Sequence, residues 1–115
     1  CVGMQLLFES SEESPLTKGL ALLKGQVKKF DNPKVPQIGW NSLEPARDGY
    51  EKGYAYFVNS YYAVPEDDSV TTYRAEYGTK FCAAVAKDNV SAFQFHPEKS
   101  HEFGHNLIRR WADAL

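Results

Sequence analysis

Residues 55–64, Ala-Tyr-Phe-Val-Asn-Ser-Tyr-Tyr-Ala-Val, constrain the fold more than any other stretch, because aromatic and β-branched side chains at this density suit a pleated sheet surface. One strand needs partners, and the chain supplies several candidates. Residues 71–77 and 80–85 flank Gly78-Thr79, the pattern of an antiparallel hairpin. Asp88-Asn89 turns the chain into a further run over 90–95. Shorter strands are expected at 20–23, at 25–30 and, interrupted by Pro36, at 35–40. Asp31-Asn32-Pro33 reads as a turn, and 44–52, with Pro45 and Gly49, as a polar loop.

Two segments carry helical patterning. Residues 4–13 place apolar side chains at 4, 6, 7 and 8 and carboxylates toward the end, before Ser14-Pro15 stops the helix. Near the C-terminus, Ser100 suits an N-cap, and Phe103, Leu107, Trp111 and Leu115 recur every fourth position as a stripe for packing on a sheet. The sum is an α/β chain: a mixed sheet with an antiparallel hairpin and a C-terminal helix. At 115 residues, without internal repeat or linker, it is one domain's worth of chain, 1–115.

A formal net charge of -2 with interspersed signs gives no field for nucleic acid or anionic lipid. No run approaches the roughly 18 apolar residues of a membrane span, so neither nucleic acid nor membrane is expected as a partner. The two cysteines stand far apart, which suits a reducing, cytoplasmic setting. Cys82, inside an apolar run, reads as a buried strand thiol.

Chemistry is suggested by three residues at opposite ends of the chain. A thiol nucleophile needs a base, and the base needs a group to orient it; Cys1, His96 and Glu98 supply those types. If 90–95 is a strand, His96 leaves its end and the two-residue period returns Glu98 to the same side, with Pro97 limiting the backbone between them. A helix starting just after Cys1 would point its positive end at the sulfur and favour thiolate. A chain beginning with Cys also suits an N-terminal-nucleophile hydrolase, whose α-amino group is the base. Such an enzyme has no use for His96 and Glu98 at this spacing, so the triad is preferred.

Cys1 to Glu9 (Cys-Val-Gly-Met-Gln-Leu-Leu-Phe-Glu) with Gln94 to Ser100 (Gln-Phe-His-Pro-Glu-Lys-Ser) resembles the class I, triad-type glutamine amidotransferases. Ile38-Gly39-Trp40-Asn41, the Tyr56 to Tyr62 segment and Lys99 are most similar to the glutaminase subunits of imidazole glycerol phosphate synthase. The resemblance implies part of a doubly wound fold, the C-terminal part beginning at the nucleophile, with the N-terminal strands missing. It implies hydrolysis of glutamine by Cys1, His96 and Glu98, with the Val2 N–H as one oxyanion donor. Gln5, Asn59, Ser60 and Tyr61 would hold the substrate, Asn59 standing where these subunits usually have His. Trp40, Tyr56 and Lys99 would meet a (βα)8 cyclase, to which ammonia is channelled in histidine biosynthesis. Read without the resemblance, Trp40 and Tyr56 are core residues. No cofactor is implied. Sister triad amidotransferases serving anthranilate, guanylate or pyridoxal phosphate synthesis remain alternatives, as does a non-catalytic fragment that self-associates through an uncovered sheet edge.

His101-Glu102-Phe103-Gly104-His105 matches the H-E-x-x-H pattern of zinc enzymes. Catalytic zinc needs a third protein ligand, and among the ten residues after His105 only Asp113 carries a carboxylate side chain. The match is expected to be coincidental on an amphipathic helix, with no metal bound.

Overall fold

The structure, a computed structural model, describes residues 4–5, 7–8, 10–11, 19, 23–32 and 34–114. Among these, eight strands form one sheet: β1 (Ser10–Ser11), β2 (Gly25–Lys29), β3 (Gln37–Pro45), β4 (Gly53–Asn59), β5 (Tyr61–Pro65), β6 (Thr71–Glu76), β7 (Lys80–Lys87) and β8 (Val90–Phe93). Their order is β1-β2-β5-β7-β6-β3-β4, and β8 pairs with β7. Among the described residues only the β1–β2 pair is parallel, so the sheet is mixed, and a helix of about three and a half turns, α1 (His101–Asp113), closes the described chain.

Strand β7 explains the layering. Phe81 through Val85 are all buried, a continuous apolar run that belongs to a strand covered on both faces rather than one. One face joins Phe30, Leu43, Phe57, Tyr73, Phe95 and Leu107 in the larger core. The other carries Cys82 and Val85 into a second cluster with Met4, Phe8, Val27 and Val70. Cys82 pairs with Arg74 of β6 on one edge and Ala63 of β5 on the other. Farther along that second edge β8 takes over, with Ala84 opposite Phe93 and Lys87 opposite Val90.

The aromatic run does not form the single strand expected over 55–64. It divides at Ser60 into β4 and β5, which lie at different places in the sheet. Strand β4 alternates: Ala55, Phe57 and Asn59 point inward, while Tyr54 and Val58 are exposed. Its partner β3 starts at Gln37, after the cis Val35–Pro36 bond, and runs through Pro45. The strand expected at 35–40 is therefore displaced and longer, and the loop expected from 44 begins only at 46. Pairing with Arg74 and Tyr73 of β6 carries β3 through Glu44 and Pro45, which looked like loop.

The helix expected over 4–13 is also revised: Met4 and Gln5 form one helical turn, and Ser10–Ser11 is already strand beside Gln26 and Val27. The strand expected at 20–23 falls largely outside the described residues. In α1, Leu107 is buried and Phe103 half-buried, but Trp111 is exposed and Leu115 lies outside the described residues, so the stripe covers less of the sheet than its spacing suggests. Phe103 lies flat on Gly53, where any side chain would collide with the ring. A Cβ on Gly104 would overlap the Pro97 carbonyl, so the helix approaches the 97–99 turn as closely as it does only because position 104 has no side chain.

Gly104→Ala should lower stability by about 1–3 kcal/mol through this overlap, read as a lower chemical-denaturation midpoint. Tyr73 supplies a pH test. Burial pushes its phenol up to about 12 from an ordinary 10.0, and its hydroxyl donates to the Glu51 carbonyl at 2.7 Å. Its contribution is complete below pH 10 and lost as pH rises toward 12, because the unfolded chain ionises first. Tyr73→Phe should therefore show a shallower fall in melting temperature across that window than the parent.

Candidate active site

Strand β8 delivers the chain to His96. Beyond its end the Gln94 N–H still donates to the Ala83 carbonyl at 2.8 Å, and Phe95 is buried in the larger core. His96 then crosses to β4: its N–H donates to the Tyr56 carbonyl at 2.9 Å in an isolated antiparallel bridge. The backbone does not stay extended as the two-residue period assumed. Pro97–Lys99 forms a 3-10 turn with proline at its start, where a missing N–H costs nothing. That turn brings Glu98 back, and its Oε1 lies 2.9 Å from His96 Nδ1. A carboxylate only accepts, so Nδ1 carries the proton of this bond, and in the neutral ring the lone pair falls to Nε2. The imidazole side chain is 32% exposed and the carboxylate 58%, so solvent reaches both.

His96, Pro97 and Glu98 line a cleft of about 360 Å³ together with Met4, Leu7 and Phe95. Met4 and Leu7 belong to the turn that follows the chain start, held by Leu7 N–H to Met4 carbonyl and Phe8 N–H to Gln5 carbonyl bonds of 3.2 Å each. Cys1 and Val2 lie outside the described residues.

Beside the cleft the structure gathers side-chain amides. Gln5 Nε2 lies 3.4 Å from both the Tyr61 carbonyl and Gln94 Oε1. Asn59 Nδ2 donates to the same Tyr61 carbonyl at 3.1 Å, and its Oδ1 accepts from Gln37 Nε2 at 2.9 Å. Gln37 Oε1 in turn accepts from Asn41 Nδ2 at 2.8 Å. Gln5, Asn59 and Tyr61 thus converge, but both ends of the Asn59 amide are engaged within the protein. The Ser60 carbonyl is drawn away as well, accepting from Phe30 N–H at 3.0 Å. Gln37 and Gln94 are members that sequence reading missed. The available signal was polarity: each is an amide within a strand-like stretch, and both are buried.

On the opposite face of the β3–β4 hairpin, Trp40 stands directly across from Tyr56, ring centroids 6.0 Å apart. The Lys99 ammonium lies 6.0 Å from the centre of the Tyr56 ring. Trp40 is 49% exposed, so its core reading is corrected; strand alternation turns it outward along with Ile38, Tyr54 and Val58, which are also exposed. His101 stacks on Trp40 at 5.3 Å and 11°. The alternation in 53–59 could have found Tyr54 and Val58.

His101 and His105 are both exposed on α1, and among the described residues no group of three or more His, Cys, Asp or Glu is placed to hold a metal. Burial pushes the Cys82 thiol up, against weaker opposing bonds from Thr71 and to the Ala84 carbonyl. Such a thiol is a poor nucleophile. No helix of the described residues is long and apolar enough to cross a membrane.

Comparison with known proteins gives the family. The family model for glutamine amidotransferase class-I matches residues 1–114. The chain is 47% identical to an imidazole glycerol phosphate synthase subunit HisH from Herpetosiphon aurantiacus, over 98% of this chain and 57% of that protein. It is 48% identical to the corresponding subunit of Thermococcus kodakarensis, over 96% of this chain and 62% of that protein. With that of Methanocaldococcus jannaschii it shares 44% identity over all of this chain and 62% of the relative. The chain therefore spans about three-fifths of the length of these relatives.

The amide series yields a stability test. Gln37→Leu leaves the buried Asn59 Oδ1 without its donor and should cost about 1–3 kcal/mol, measured by chemical denaturation.

Proposed function

The chain belongs to the class I glutamine amidotransferases, and from that premise we propose that residues 1–115 act as part of a glutamine amidotransferase domain that hydrolyses glutamine to glutamate and ammonia. The observation that carries the reading is the His96–Glu98 pair, 2.9 Å apart, on the wall of a cleft whose other side is built by the residues just after Cys1. His96 Nε2 takes the proton of Cys1, and the thiolate attacks the side-chain amide carbon of glutamine. The Val2 N–H is one donor to the resulting oxyanion. His96, held through Nδ1 by Glu98, gives its proton to the leaving ammonia, and water then releases glutamate from the thioester. Gln5 and the Tyr61 backbone lie where they can meet the amino-acid end of the substrate, with Asn59 acting as a brace rather than a ligand. That assignment removes the difficulty of Asn standing where His is usual, since a brace needs only the two amide bonds observed here.

The ammonia acceptor is read from the relatives' name. A subunit of imidazole glycerol phosphate synthase works beside a cyclase, and the Trp40, Tyr56 and Lys99 face has the character of a docking surface: an aromatic pair, a cation and an exposed apolar surround. Cytoplasmic histidine biosynthesis is the corresponding setting.

In the full-length chain assayed with its cyclase for glutamine-dependent ammonia release, Cys1→Ser and His96→Asn should each lower turnover by at least about 1000-fold while leaving the melting temperature nearly unchanged. Turnover retained by His96→Asn would remove His96 from the mechanism.

A further inference from the structure

Ser100 occupies the N-cap position of α1, where a serine hydroxyl ordinarily accepts from the helix's first free N–H groups, yet it makes no such bond. Its hydroxyl instead donates to the His96 carbonyl at 2.6 Å and accepts from the Tyr56 N–H at 3.1 Å. The side chain is 1% exposed, so water cannot replace either bond. The His96 N–H donates to the Tyr56 carbonyl, which completes a closed ring of contacts. Both Tyr56 backbone groups on the edge of β4 away from β3 are satisfied by the segment that carries the imidazole. The helix start bears a conformational cost: His101, a non-glycine residue, sits at φ 51 in the left-handed region. A cap forgone and a strained residue beside it are what remains when a hydroxyl is diverted to a different task.

We propose that Ser100 is a positioning residue for the base: its hydroxyl fixes the His96 backbone against β4 so that the imidazole meets Glu98 and faces the cleft. This rests on the glutaminase reading. Among the hydrogen bonds of the described residues, Ser100 is the side-chain hydroxyl that ties the His96 segment to the middle of β4. Alanine removes the donor and the acceptor at once, freeing the 96–99 turn from β4 except through the one remaining backbone bond. Cysteine is close in size and keeps a weak donor and acceptor.

The test uses the full-length chain with its cyclase and compares the parent, Ser100→Ala and Ser100→Cys. In Ser100→Ala, kcat should fall by about 10-fold to 100-fold with KM within about 2-fold, since a base displaced by an ångström harms chemistry more than binding. Ser100→Cys should recover part of that loss. A second readout does not depend on turnover: in the parent, the ring 15N shifts of His96, read by NMR through its carbon-bound ring protons, should show the Nδ1–H tautomer held by Glu98, and in Ser100→Ala they should move toward a mixture of tautomers although the amide spectrum stays that of a folded protein. An unchanged kcat in Ser100→Ala, or unchanged His96 ring 15N shifts, would overturn the proposal. If the parent releases no ammonia, the glutaminase reading fails by itself, and the ring shifts still decide whether Ser100 positions His96.

Discussion

Burial of β7 on both faces is the constraint on which the rest of the molecule depends. A strand with one wet face could have ended the sheet; Phe81 to Val85 cannot, and must be flanked and covered. Strand β6 takes one edge, and β5 followed by β8 takes the other. Beyond β8 the chain stays on β7 through the Gln94 N–H, buries Phe95 and reaches β4, where the His96 N–H bonds the Tyr56 carbonyl. The position of His96 thus follows from the way β7 is flanked.

Much of this was legible in the residues. The hairpin of β6 and β7 could be read from two strand-like runs around Gly78-Thr79, and the C-terminal helix from its four-residue spacing. The split of 55–64 into β4 and β5 was not, because local preference for extended backbone is equally strong on both sides of Ser60 and says nothing about which partner each half will find. The extension of β3 through Glu44 and Pro45 was hidden for the same reason: pairing with β4, and then with Arg74 and Tyr73 of β6, overrides weak local preference.

The site shows a similar division. Chemical type together with the two-residue spacing at the end of a strand-like run singled out His96 and Glu98. Ser100 was visible only as a helix cap, because sequence reports a hydroxyl beside a helix but not which of two nearby backbones will claim it. Gln37 and Gln94 were passed over as ordinary polar residues; their significance arises from distant segments meeting in the buried amide series, and separations of 22 and 89 positions leave no local trace. Trp40 looked like interior because large aromatic rings usually are, and only the pleat of β3 against β4 turns it to the surface.

The bridge from His96 to Tyr56 has a consequence outside chemistry. Strand β4 ends the strand order, so its outer rim is where a stray extended peptide would begin to add itself. The segment bearing the imidazole sits on that rim at its midpoint, spending the N–H and carbonyl an intruder would need. The same few residues that hold the imidazole therefore also cap the sheet, leaving no free N–H or carbonyl at Tyr56 for an added strand.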